Sequence, residues 1–298
     1  MLINVILPVI LVVLGGYLFG KYTNVDHSSI SRFAMMLLSP ALIFSFLVRN
    51  SLTTTEMMQT VGAVLLFTVL VAILTFVILQ ATGQKHMITP GLLSTVFPNT
   101  GNYGLPVLLF AYGEEAFSLG VVVVVMNFIL MYTLGVYFAS LEGGDWRKGV
   151  RNVIKLPTTY AALLAIVVNV FHIPIPDFIY NPVKLVGDAM IPVVLLILGM
   201  QLSKTTFRGA LGATVTMSTI RLLLSPLLMI GIVALLHIDG MVAKVLVLQH
   251  ATPTAVIMSM IAAEYRAQPN IVANVTFLST IASFATMTMF LYLVDYLY

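Results

Sequence analysis

Cysteine is absent from this 298-residue chain and charge is scarce, with Asp, Glu, Lys and Arg together making up 8%. The first absence excludes disulfides, metal–thiolate sites and cysteine nucleophiles. The second excludes an ordinary soluble domain, in which roughly a quarter of the residues are charged. No Ser/His pair at motif spacing, Asp-rich diphosphate site or metal-ligand cluster is visible, so an intramembrane enzyme is the least favoured function class. No metal site, cofactor or nucleic-acid partner is expected, and a coupling Na⁺ or H⁺ is left open.

What is present is apolar sequence in long runs. The chain is 60% hydrophobic with a mean hydropathy of +1.05, which marks an integral protein of the lipid bilayer. Runs of about 20 apolar residues, enough to cross a bilayer, fall at Leu2–Gly20, Ile30–Val48, Thr60–Thr82, Ile88–Tyr112 and Ala116–Leu141. Five more follow at Pro157–Ile173, Pro182–Leu202, Ala210–Leu236, Met241–Ala263 and Ile271–Tyr296. The first lacks a basic n-region and a small-residue cleavage site, so it reads as a membrane helix and not a cleaved signal. Val121–Val125 and Ile166–Val168 are β-branched, yet within runs of this length they read as lipid-facing helix.

Ten spans give two alternating sides, and the basic residues choose between them. Lys21, Arg32, Lys85, Arg147, Lys148, Arg151, Lys155, Lys204, Arg208 and Arg266 fall on one side. Arg49, Lys184 and Lys244 fall on the other. The positive-inside rule makes the first side cytoplasmic and puts both termini outside, which also accounts for the net charge of +3. The expected location is the plasma or inner membrane. The longest polar connection, 142–156, then separates residues 1–141 from 157–298, five spans each. An odd number per half places the halves in opposite orientations, so an inverted repeat is expected. Its marks are Ser39-Pro40-Ala41-Leu42 against Ile191-Pro192-Val193-Val194, and Phe97-Pro98-Asn99 against Ala251-Thr252-Pro253, at nearly the same offset.

The fourth span is interrupted by Phe97-Pro98-Asn99-Thr100-Gly101-Asn102-Tyr103-Gly104-Leu105-Pro106. Pro98, Gly101, Gly104 and Pro106 cannot sustain a regular helix. The ninth span carries the counterpart, Gln249-His250-Ala251-Thr252-Pro253-Thr254. Backbone groups freed at membrane depth cost several kcal/mol unless protein or a wet cavity satisfies them, and paired broken helices are a usual way to build a transport site. If both unwind and cross, two half-helix N-termini approach one point, each with roughly half a positive charge and free N–H groups. That favours an anion, simplest as carboxylate or phosphate. Asn99, Asn102, Tyr103, Gln249, His250, Thr252 and Thr254 are the candidate contacts.

Two further ionisable residues stand inside spans. Arg221, mid-way along the eighth, either attracts the substrate anion or clamps an acid or half-helix carbonyls. Asp188, one turn before Pro192, is either a coupling or gating acid or a helix-terminal charge. Glu114, Glu115 and Glu264 read as solvated ends of the broken spans. Gly15, Gly16, Gly20 and Gly199 read as sites of close helix approach.

At Pro98-Asn99 and Asn102-Tyr103-Gly104-Leu105-Pro106 the chain resembles the auxin efflux carrier family, which includes plant PIN proteins and bacterial malate or malonate permease-like members. Ser39-Pro40-Ala41-Leu42, Leu198-Gly199-Met200-Gln201-Leu202, Arg221-Leu222-Leu223, and Ala263-Glu264-Tyr265 with Pro269 and Ser279-Thr280 carry the likeness along most of the chain. The resemblance implies an all-α polytopic fold of ten transmembrane helices in two inverted five-helix repeats, with helices 4 and 9 broken and crossing. It also implies the architecture of bile-acid symporters and some sodium–proton antiporters, a scaffold and a transport domain, and elevator-type alternating access. A carboxylate contact carries over to Asn99, the second crossover to Pro253, and related carriers suggest a homodimer. The chain departs from plant members in its short linker, in a third span without ionisable residues and in His250-Ala251-Thr252. These departures favour a carrier of small organic acids. Competing readings are a sodium-coupled organic-anion symporter, a channel and a membrane sensor.

Overall fold

Apolar runs that must satisfy every backbone donor and acceptor internally have two solutions in lipid, and this chain takes the helical one. The computed structural model describes residues 5–23, 25–48, 53–141, 157–171, 173–204 and 210–298. Among them all regular structure is helical apart from one isolated bridge, Pro98 to Thr254. The linker 142–156 and the basic residues Arg49, Arg147, Lys148, Arg151, Lys155 and Arg208 lie outside the described residues.

Among the described residues six helices are long and apolar enough to cross a membrane: α2 (Ser29–Val48), α3 (Thr55–Ala81, starting at Thr54), α5 (Thr100–Ser140), α7 (Asp177–Lys204), α8 (Leu211–Leu235) and α11 (Pro269–Leu297). The shorter α1 (Leu7–Tyr22) and α6 (Pro157–Val170) are also apolar. Three shorter pieces, α4 (Ile88–Val96), α9 (Gly240–His250) and α10 (Val256–Glu264), flank the interruptions. The expected third span begins earlier, at Thr54, because Thr53 and Glu56 form a capping box. The Thr53 hydroxyl accepts from the Glu56 N–H at 3.2 Å, and the Glu56 carboxylate accepts from the Thr53 N–H at 2.8 Å. The seventh also begins earlier, at Asp177, with Pro182 inside the helix. Within α5, Gly113 adopts φ 75° and ψ −158°, a conformation reserved for glycine, and separates the arm 105–112 from the arm 114–130.

The helices pack as two groups. In one, α1 lies along α7, and α2 lies against α6 and the first part of α7. In the other, α3, α4, α5, α8, α9, α10 and α11 pack on one another, while α5 also touches α2, α6 and α7. Lipid supplies no hydrophobic drive for such contacts, so close approach through small residues matters most. A Cβ on Gly16 would stand 2.2 Å from the Leu196 carbonyl, and one on Gly199 would stand 2.0 Å from that of Val13. Gly20 is equally closed, by Ser203 and Met200. Gly15 is not part of this seam, because its Cβ would meet ordinary contact at 3.9 Å.

Val121–Val124 are helical but buried, not lipid-facing, because α5 is sandwiched between the two groups. Ile166 and Val167 do face outward. At one end of the second group Asp295 accepts from the Tyr112 hydroxyl and from the Lys244 ammonium, each at 2.7 Å. This joins three helix ends that the alternating count places on the same side.

Candidate functional site: the crossover

The interruptions fall at Pro98 and Pro253, and they meet. Gly101, Gly104 and Pro106, expected to break the helix as well, lie inside α5, whose opening turn Thr100–Gly104 is π-helical. α4 ends at Val96, and Phe97 turns extended, with φ −108° and ψ 100°. α9 ends at His250, and the chain stays non-helical through Ala255, with φ −64° and ψ 128°. The extended pieces run antiparallel and exchange backbone hydrogen bonds: Asn99 N–H to the Pro253 carbonyl at 2.8 Å, and Ala255 N–H to the Phe97 carbonyl at 3.0 Å. Proline suits these places, because neither Pro98 nor Pro253 is asked for an N–H. Phe97, Asn99, Thr252 and Thr254 are buried, so the broken backbone is sheltered by protein, as its depth requires.

The two sides of this crossing differ in chemistry. On one, α4 and α9 end, and their terminal carbonyls carry the negative dipole ends. Arg221 of α8 reaches them: its guanidinium donates to the Thr95 carbonyl at 2.7 Å and to the His250 carbonyl. The side chain is fully buried and lies 5.8 Å from the centre of the Phe67 ring. Of the two readings open for Arg221, its geometry is that of a clamp on half-helix carbonyls.

On the other side, α5 and α10 begin. Thr100, Gly101 and Asn102 at the start of α5, with Val256 and Ile257 at the start of α10, line one cavity of about 60 Å³. The first turn of a helix has no internal acceptors for its N–H groups, so two positive dipole ends converge here. Asn99 sits at the start of this turn, 5% exposed, lining the cavity with its amide Nδ2 lacking a partner. A second lobe of about 20 Å³ adjoins it, sharing Gly101, Asn102, Phe128 and Met190. A larger cavity of about 370 Å³, lined by Gln201, Lys204, Ser259 and Thr276 among others, reaches the crossover at Val256.

The remaining candidate residues divide by this geometry. Asn99, Asn102, Pro98, Gly101 and Pro106 line the lobes. Tyr103 is buried with its ring 5.9 Å from that of Phe284. Gln249 is buried where a Cβ on Gly104 would fall 2.1 Å from its Oε1, so Gly104, helical within α5, serves close packing. His250 has its ring against Phe67 and Nδ1 2.7 Å from the Leu246 carbonyl. Thr252 donates to the Gln249 carbonyl at 2.7 Å. Thr254 donates to the Ser94 carbonyl at 2.6 Å and receives the hydroxyl of Ser279 as acceptor for its own N–H. None of Tyr103, Gln249, His250, Thr252 and Thr254 borders either lobe.

Asp188 forms an exposed ion pair with Lys184, 2.8 Å apart and one turn away on α7. Glu114, Glu115 and Glu264 are exposed, as expected. Sequence reasoning did not reach Met35, Phe128 and Met190, which look like any lipid-facing residue in an apolar run. Val256 and Ile257 carried a usable signal, since the first residues after a break present backbone amides whatever their side chains.

Comparison with known proteins agrees with this architecture. The family model described as membrane transport protein matches residues 1–149 and 144–292. The chain belongs to this family, that of the auxin efflux carriers. It is 24% identical over 287 residues to an uncharacterized transporter of Methanothermobacter thermautotrophicus, covering 95% of each chain. A second uncharacterized transporter, from Methanocaldococcus jannaschii, is 24% identical over 288 residues, covering 93% of this chain and 94% of its own. Auxin efflux carrier component 8 of Arabidopsis thaliana is 24% identical over 266 residues, covering 72% of each. The protein is thus a multi-pass membrane transporter of the auxin efflux carrier family.

Proposed function

We propose that this transporter moves small organic carboxylates by secondary active transport, with the anion held between the N-termini of α5 and α10. The observation that carries the proposal is the convergence of two helix N-termini on Asn99, whose buried amide donor has no partner. A carboxylate accepts from such donors and lies at the positive dipole ends. Asn99 and Asn102 are its side-chain contacts. Thr254 and Thr252 bond the backbone around the break, Gln249, His250 and Tyr103 pack behind it, and Arg221 steadies the opposite ends.

The transport cycle we propose is of elevator type, with ten membrane crossings arranged as two inverted repeats and both termini outside the cytoplasm. Three features support it. The two crossings are built alike, each from a helix ending on Arg221 and a helix starting at the lobes. The walls of the lobes are split between the two helix groups, with Met35, Ser39, Met190 and Val194 from one and Asn99, Asn102 and Phe128 from the other. A sliding movement between the groups would therefore carry the crossover past a fixed wall. The large cavity beside Lys204 opens toward the end that the basic residues assign to the cytoplasm, which makes this arrangement inward-facing.

The test is counterflow of a labelled small carboxylate into liposomes holding the purified chain, measured above protein-free liposomes. Wild-type protein is expected to accumulate label, and Asn99→Ala to lose that accumulation while keeping its elution profile and helical signal. Undiminished exchange by the variant would overturn the assignment of the site. Repeating the assay with and without Na⁺, and at two pH values, identifies the coupling ion.

A further inference from the structure

The two lobes of the crossover cavity differ in chemistry, and the difference bears on which carboxylates fit. The larger is lined by the first turns of α5 and α10 and by Asn99, whose buried Nδ2 has no partner among the described residues. The smaller is walled chiefly by Leu42, Ile43, Leu105, Val124, Ile191 and Val194, with Ser39 and Asn102 at its polar margins. Asn102, Phe128 and Met190 stand where the lobes join. Among the described residues no Lys, Arg or His borders either lobe.

We infer that the site selects a short-chain monocarboxylate, its carboxylate in the Asn99 lobe and the end of its alkyl tail in the lobe of Leu42, Leu105 and Val124. This rests on the carboxylate reading above and narrows it. Charge sets the first limit. The polar lobe offers helix N-termini and amides, a complement suited to one negative charge. A second carboxylate at the tail end of the same molecule falls among the aliphatic side chains of the smaller lobe, where an unpaired charge is heavily penalised. Size sets the second limit. A water-sized group needs roughly 10–15 Å³ of such volume, so the lobe of about 60 Å³ holds roughly four to six non-hydrogen atoms and that of about 20 Å³ one or two. A four-carbon acid fits these counts with its carboxylate and nearest carbons in the larger lobe and its last carbon or two in the smaller. The tail is received by preformed apolar walls, in which one methylene too many or too few is worth roughly 10- to 200-fold.

Equilibrium binding to the detergent-purified full chain at neutral pH tests this with butyrate, succinate and hexanoate as probes. Butyrate and succinate share a four-carbon chain and differ in the second charge. The expected result is that butyrate binds at least about tenfold more tightly than succinate, and more tightly than hexanoate. Val124→Ala, which lengthens the apolar lobe, is expected to shift the hexanoate-to-butyrate affinity ratio about tenfold toward hexanoate. Succinate binding as tightly as butyrate or more so, and weakened by Asn99→Ala, would overturn the inference while leaving the carboxylate site standing. Failure of all three probes to bind would overturn both. An unchanged ratio in a well-folded Val124→Ala protein would remove the tail from that lobe and overturn the inference.

Discussion

The two sides of the crossover are made from the same broken helices, yet one is filled and the other is left open. Where α4 and α9 end, the exposed carbonyls of Thr95 and His250 are taken up by a buried guanidinium from α8. Where α5 and α10 begin, the first-turn amides and the Asn99 side chain face a cavity. Orphan groups at a helix end in lipid must find a partner. The protein supplies that partner permanently on the negative side, and on the positive side the proposed carboxylate would supply it. On that reading a permanent cation fixes the geometry of one side, while the other side binds and releases an anion.

The comparison breaks most visibly at Arg221. Arg221→Met removes two charge-assisted hydrogen bonds, each worth about 1.5–3 kcal/mol, and strands two carbonyls. A loss of at least about 3 kcal/mol is expected, lowering the melting temperature in detergent by roughly 6–12 °C. Arg221→Lys is expected to recover part of this, because one ammonium lacks the planar fork that spans two carbonyls. A variant that melts like wild type would show that the filled side is not holding the crossing together.

Gly104→Ala comes next, because the added methyl falls 2.1 Å from the Gln249 amide oxygen. Overpacking of this kind costs about 1–3 kcal/mol and displaces the start of α5, so melting temperature and carboxylate affinity are both expected to fall. Loss of affinity without any change in melting would place Gln249 in the site and not behind it. At the small end, Asp188→Asn breaks an exposed i,i+4 pair worth about 0.3–0.5 kcal/mol. Transport and melting are expected to stay within error, and a loss of coupled transport would make Asp188 a coupling acid.

The sequence announced the breaks at Pro98 and Pro253, which lack the N–H a continuing helix needs, but Gly101, Gly104 and Pro106 fall inside α5, in its opening π turn and the turn after it. It also announced Arg221, since a guanidinium within an apolar run demands an explanation. Its partners were not legible. Thr95 and His250 offer only backbone carbonyls, and any residue offers those. Polarity near a break likewise says that a side chain avoids lipid, not which way it turns. Successive helical positions differ by about 100°, so Gln249 and His250 can close the interior while amides a few residues on line the cavity. Apolar wall residues such as Phe128 and Met190 gave no signal, because in a membrane protein the wall of a site and the lipid-facing surface draw on the same side chains.

The central claim is that the open side of the crossover is an anion site. The most direct measurement is the affinity of the purified chain for butyrate, compared between wild type and Asn99→Ala alongside the melting temperature of each without ligand. The account predicts at least about tenfold weaker binding, equivalent to about 1.4 kcal/mol, with no loss of melting temperature, since the removed amide donor has no partner to lose. Equal affinity in the two proteins would contradict it.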